Sequence, residues 1–199
     1  MVIQLIVEGH GEVEAARKLL GRVLASLGQL DFRALDPIRV SRDVFLSEEK
    51  LKKYLELARR KGADRILAVY DADDDCAVEA ASKTRAIMQN ECPDLLYEAV
   101  AAVKEYEAWL LAGSQGLRLE AIPVRTASYA PNPEQKRDAK KELAKYLGGP
   151  ENYSPTVDQL RLTQRFDIDE AKARSRSFRA FCSAVQRLNQ PDEIEPILP

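Results

Sequence analysis

Histidine is almost absent from this chain of 199 residues: His10 stands alone. That excludes a zinc site built on two imidazoles, and any Ser-His-Asp triad would have to use His10. Cysteine is scarce too. Cys76, Cys92 and Cys182 are scattered, odd in number and form no C-x-x-C pair, which fits a reduced, cytoplasmic chain better than a disulfide framework. No apolar run reaches the 18 or so residues that a membrane-spanning helix needs. The opening "MVIQLIVEGHGE" lacks a basic stretch and a small-residue cleavage site, so no signal peptide is expected. With so few imidazoles and thiols, a metal in this protein would be held by oxygen, which favours Mg²⁺ or Mn²⁺.

Charge is plentiful but unevenly spread. Residues 1–112 carry 16 basic against 20 acidic side chains, and residues 113–191 carry 14 against 9. A net charge of −2 argues against a uniformly basic nucleic-acid binder. An acidic front half and a basic back half suit a metal site beside a polyanion-binding face, although two ordinary solvated surfaces would look the same.

The first 113 residues alternate between two patterns. "VIQLIV" (2–7) is an apolar run of strand length, and "DRILAVYDADDD" (64–75) reads as a second buried strand through its mostly apolar residues Ile66 to Tyr70. Val13, Ala16, Leu20, Val23, Leu24 and Leu27 recur at helical spacing up to Gly28. Residues 47–62 read as a helix opened by Ser47 and closed by Gly62, and residues 77–91 as another. Residues 32–40 read weakly as a strand interrupted by Pro37, and 97–113 begin as a strand and turn helical around Glu105. Strand–helix alternation predicts an α/β fold, Rossmann-like, with a mainly parallel sheet of about four strands flanked by helices. Residues 114–199 are expected to form a mostly helical C-terminal extension packed on this core. It contains a proline-rich stretch, one helix at 133–149, and an amphipathic helix at 167–188 that places Phe178, Phe181, Val185 and Leu188 on one face. Lys172, Arg176, Arg179 and Arg187 fall on the other face, as candidate phosphate contacts. The tail "NQPDEIEPILP" is expected to be extended.

Ligands of an open parallel sheet bind at the carboxyl ends of its strands. Three such ends here carry carboxylates. "VEGHGE" brings Glu8 and Glu12, "YDADDD" brings Asp71 and Asp73, and "KEYEAWLL" brings Glu105 and Glu107 beside Lys104. On an extended backbone Asp71 and Asp73 point the same way. So much like charge at the end of a buried strand is tolerable if a divalent cation binds there; the plain alternative is a solvated turn or helix cap. Gly9 and Gly11 lack the third glycine of a dinucleotide fingerprint. The candidate metal ligands are Glu8, Asp71, Asp73 and Glu105, and the candidate catalytic groups Glu8, Glu12 and Lys104.

The pair "LIVEGHGE" and "VYDADDD" resembles the Toprim domain shared by topoisomerases, bacterial primases and overcoming-lysogenization-type nucleases. Its glutamate after the first strand and its later Asp-x-Asp correspond to Glu8, Asp71 and Asp73. The chain is similar to one uncharacterised bacterial Toprim-like family in its V-E-G-x-G-E opening, its D-x-D-D run, its E-x-E-A-W motif at Glu105, Glu107 and Trp109, and its late "SRSF" helix. The resemblance implies Mg²⁺- or Mn²⁺-dependent phosphodiester chemistry, with the glutamate as general acid/base and the aspartates on metal. Too little chain lies beyond the sheet for a topoisomerase or primase, which leaves a compact nuclease acting on DNA or RNA. The resemblance also implies an ATPase partner in a phage-defence setting. A small-molecule phosphohydrolase and a non-enzymatic regulatory partner of such an ATPase are the alternatives; a homo-oligomer also stays open.

Overall fold

The computed structural model describes residues 1–117, 129, 131–149, 151 and 153–190. The tail expected to be extended lies outside the described residues from position 191 on, as do Pro123 and Pro150 of the proline-rich stretch. The chain builds a parallel sheet. β1 (Val2–Val7) lies between β4 (Arg65–Asp71) and two very short strands, β2 (Arg33–Ala34) and β3 (Ile38–Arg39), while β5 (Leu96–Ala102) flanks β4 on the far side. β2 and β3 both pair with β1, β2 near its start and β3 near its end, and Pro37 stands between them. The weakly read strand is thus two fragments.

The strands alternate their side chains between two apolar layers, as period-2 geometry requires. Ile3, Leu5, Val7, Leu67, Val69, Val100 and Ala102 face one core. Ile6, Ile66, Ala68, Tyr70, Ala99 and Ala101 face the other. The second layer is covered by α2 (Arg42–Phe45), α3 (Glu48–Arg60) and α4 (Ala77–Glu91), with Phe45 stacked on Tyr70 at 4.3 Å between ring centres. The first is covered by α1 (Glu12–Ser26), α5 (Glu107–Ala112) and the C-terminal helices α6 (Ala139–Tyr146), α7 (Pro155–Thr163), α8 (Ile168–Arg174) and α9 (Arg176–Leu188). Strand residues and C-terminal helices share this one core, at whose centre Trp109 is fully buried against Tyr106, Phe178 and Phe181. Gly28 and Gly62 end α1 and α3 with φ of 76° and 80°. Ser47 occupies the N-cap of α3, but its hydroxyl makes no capping bond.

Three sequence expectations need correcting. The helix expected over 167–188 is broken at Ser175, whose backbone is extended (φ −122°, ψ 124°) and whose hydroxyl caps α9 by accepting from Phe178 N. The helix expected over 133–149 is a short 3-10 turn at Pro133–Gln135 followed, after a gap, by α6. The proline-rich stretch contains an unexpected helix, α7, with Pro155 at its first turn. Among the described residues no helix is long and apolar enough to cross a membrane, and all three cysteines are free thiols.

Candidate active site

The carboxyl ends of β1, β4 and β5 meet at one edge. The backbone N–H of Asp71 donates to Glu8 Oε2 at 3.3 Å, joining the first two strand ends directly. Asp71 Oδ1 in turn accepts from Tyr106 N at 2.8 Å, which ties in the connection from β5 to α5. Glu12, the first residue of α1, folds back to accept from the backbone N–H groups of Gly9 and Glu8. It is only 5 % exposed, and its Oε2 is buried with no hydrogen-bond partner among the described residues. Glu107, on the first turn of α5, is 1 % exposed and accepts a 2.7 Å hydrogen bond from Tyr153 Oη. Four carboxylates, Glu8, Glu12, Asp71 and Glu107, therefore sit close enough to repel one another.

All four are hard to ionise. Burial pushes the Glu12 carboxyl up to about 7, with the charges of Glu8 and Glu107 adding to the effect. Burial, then Glu12, Glu107 and Glu8, push Asp71 well above the usual carboxylate range. Burial also raises Glu8 and Glu107. Arg42 acts on Glu8, and a further cation reaches the cluster from the C-terminal portion. Lys140 Nζ lies 3.8 Å from Glu105 Oε1 and 3.9 Å from Glu107 Oε1. Burial opposes the charge on Lys140, yet Glu107, Glu105, Asp71 and Glu12 together hold its pKa above the ordinary value.

The aspartate run does not act as one ligand set. The strand ends at Asp71, and Asp73 has a left-handed φ of 50°, so the expected side-by-side arrangement on an extended backbone does not hold. Asp73 and Asp75 turn to Arg42, with Asp73 Oδ2 at 3.5 Å from its Nε. Arg42 also donates to the carbonyls of Asp71 and Ala72, clasping the loop from α2. Asp74 pairs with Lys104 and Arg137, each at 3.1 Å. Lys104, expected as a catalytic group, is thus directed away from the carboxylates. Glu105 lies at the rim, accepting from Lys140 N at 2.8 Å, and Glu107 takes the inward place. Of the candidate residues, then, the fold brings Glu8, Glu12 and Asp71 together, sets Asp73 and Glu105 at the margin, and leaves Lys104 outside. Among the described residues, no three acidic, histidine or cysteine side chains converge on one point closely enough to hold an ion as they stand.

The basic face is also rearranged. Lys172 is on α8, apart from the others, and pairs with Asp169 at 3.9 Å. Arg179 donates to the carbonyls of Lys172 and Ala173, and Arg187 pairs with Glu98. Only the Arg176 side chain is exposed and makes no ion pair or hydrogen bond among the described residues.

Sequence reasoning missed Lys140, Tyr153 and Arg42 altogether. The glutamate loop is closed over by α7, and a Cβ at Gly11 would lie 2.2 Å from Gln159 Oε1 and 2.5 Å from the Pro155 carbonyl oxygen. Gly11→Ala should therefore cost about 1–3 kcal/mol, by forcing α7 away from the loop; a urea midpoint equal to wild type would contradict that contact.

A family model described as a domain of unknown function, DUF4276, matches residues 7–186. No curated protein and no solved structure matches the chain. The matched span runs from the end of β1 almost to the end of α9 and takes in every residue of the carboxylate cluster, so the chain belongs to the DUF4276 family.

Proposed function

We propose that this protein is a Mg²⁺- or Mn²⁺-dependent nuclease that hydrolyses phosphodiester bonds in DNA or RNA. The observation that carries the reading is the Oε2 of Glu12, buried with no hydrogen-bond partner among the described residues, within a group of four carboxylates near Lys140 and Arg42. Such an excess of negative charge at the carboxyl edge of a parallel sheet suits a divalent cation. Glu8, Asp71 and Glu107 would hold the ion. A cation there would supply charge neutralisation at the scissile phosphate and lower the pKa of an attacking water.

The chain's own groups have separate tasks. Glu12, with a pKa of about 7, is poised to take and return a proton near neutral pH. Tyr153 orients Glu107 through its hydrogen bond, and Arg42 holds the Asp71–Ala72 backbone in place. Lys140 offers a positive charge to a phosphate at the rim. The resemblance to Toprim-like proteins extends the proposal to an effector subunit working with an ATPase in the cytoplasm, in anti-phage defence.

The test is a titration of Mg²⁺ and Mn²⁺ against plasmid, single-stranded DNA, transfer RNA and free nucleotides, paired with melting curves. Polynucleotides should be cut and free nucleotides spared. Mn²⁺ should raise the melting temperature of wild type by mass action. Asp71→Asn should bind the ion at least about tenfold more weakly, by analogy with the loss of a group that supports a metal site, and should lose cleavage. Equal metal response in wild type and Asp71→Asn would overturn the site assignment.

A further inference from the structure

We infer that the groove between α1, β2 and α7 is a track for the phosphate backbone of a nucleic acid. It has a volume of about 800 Å³ and continues into a recess of about 400 Å³ that shares Arg17, Arg33 and Ala34 with it. Neither hollow includes a residue of the carboxylate cluster, nor any of the basic residues expected on the C-terminal helix. The inference names the substrate class for the carboxylate site, and to that extent rests on the function proposed above.

Charge decides the kind of occupant. Arg17, Lys18, Arg33 and Lys61 line the two hollows, against the acidic residues Glu14 and Asp36. Asp36 is already matched by Arg17 at 3.3 Å. The side chains of Lys18 and Arg33 are exposed and make no ion pair or hydrogen bond among the described residues. Even with Glu14 counted, basic side chains outnumber acidic ones along the two hollows, which favours a polyanion over a neutral partner.

Shape narrows it further. The α1 residues that line the groove run from Glu14 to Ala25, about 16 Å at 1.5 Å per residue. That length takes in more than one phosphate of a duplex, each strand of which carries one phosphate per about 3.4 Å of helix axis. The groove begins at Glu14, two residues along α1 from Glu12, so a bound backbone would lie beside the helix whose first residue is in the carboxylate cluster. Phe32 and Leu160 give the groove apolar surface for sugar or base contact. Arg22, also on its wall, is committed to structure: it donates to the carbonyls of Thr163 and Phe166 and fixes α1 to the end of α7. The walls are therefore held in place before any ligand arrives.

The experiment measures binding of labelled mixed-sequence oligonucleotides, single-stranded and duplex, by fluorescence anisotropy in EDTA between 50 and 200 mM salt. Wild type is compared with the double variant Lys18→Gln/Arg33→Gln and with Arg176→Gln. Removing two phosphate contacts should lower the slope of log K against log salt by about 1.4 for single strands and about 1.8 for duplex. Arg176→Gln should keep the wild-type slope. Both sites are exposed, so melting curves should show all three proteins equally folded. Failure of wild type to bind, an unchanged slope in the double variant, or a loss confined to Arg176→Gln would each overturn the inference. Wild type that binds with the expected slope, and loses it in the double variant, but cuts nothing with Mn²⁺ would overturn the proposed function and leave the track standing.

Discussion

Glu12→Gln should melt several degrees above wild type at pH 8 and level with it at about pH 4, in the absence of divalent cations. The folded chain holds the Glu12 proton up to about pH 7, against an ordinary value of 4.5. Between those values the folded state binds a proton that the unfolded chain releases, so stability falls as pH rises through the window. The full span is about 3 kcal/mol for Glu12 alone, equivalent to several degrees in a chain of this size. Glu8, Asp71 and Glu107 are raised in the same direction and steepen the fall. The carboxyls held below their usual range, Asp43, Asp74, Glu134 and Glu142, act only at lower pH and do not cancel it. Glutamine keeps the size of the side chain and removes the charge that costs energy above pH 7. Mn²⁺ should flatten the wild-type profile as well, because binding to deprotonated ligands displaces protons. Parallel melting temperatures for wild type and variant from pH 5 to 8 would show that Glu12 is not strained by its neighbours.

Trp109→Ala should destabilise the protein by about 3–5 kcal/mol. The indole is fully buried, lies 5.2–5.6 Å from the rings of Tyr106, Phe181 and Phe178, and donates to Ser177 Oγ at 2.8 Å. Ser177 also accepts from Val103 N and donates to Glu134, so the alanine variant frees a hydroxyl that links the end of β5 to α9 and to the 3-10 turn. Trp109→Phe should recover much of the loss. The measurement is urea denaturation followed by circular dichroism, and a loss below about 1 kcal/mol would mean that the sheet and the C-terminal helices do not depend on this shared core.

Much of the sheet was legible because its main strands are uninterrupted apolar runs. β1 and β4 announce themselves, and so does α1 through its helical spacing. β2 and β3 are two residues each, too short for any periodicity to register. The break at Ser175 was hidden because Phe178, Phe181, Val185 and Leu188 stay in helical register beyond it. The Ser-x-Ser-Phe stretch carried the signal, since its first serine is well suited to cap a new helix. Ser154–Pro155 carried a similar signal for α7 within a stretch that its prolines made look irregular. At the site, Glu8 and Asp71 follow from strand ends. The choice between Glu105 and Glu107 does not, because the chain passes from strand to helix between them and the period changes from 2 to 3.6. Lys140 sits in "DAKKELAK", which reads as a solvated helix face, and Tyr153 in a proline-flanked loop. Only tertiary packing brings either to the carboxylates.

The placement of Lys140 and Tyr153 sets an order of events during synthesis. Every acidic residue of the cluster has been synthesised by residue 107, and the five strands found among the described residues by residue 102. Yet the lysine that faces the cluster, the phenol that orients Glu107, and the phenylalanines that seat Trp109 arrive between residues 140 and 181. A nascent chain that has completed these strands therefore carries the acidic groups without Lys140 and without their support. The site matures only as α6 to α9 dock, which ties any activity it has to synthesis well beyond the sheet.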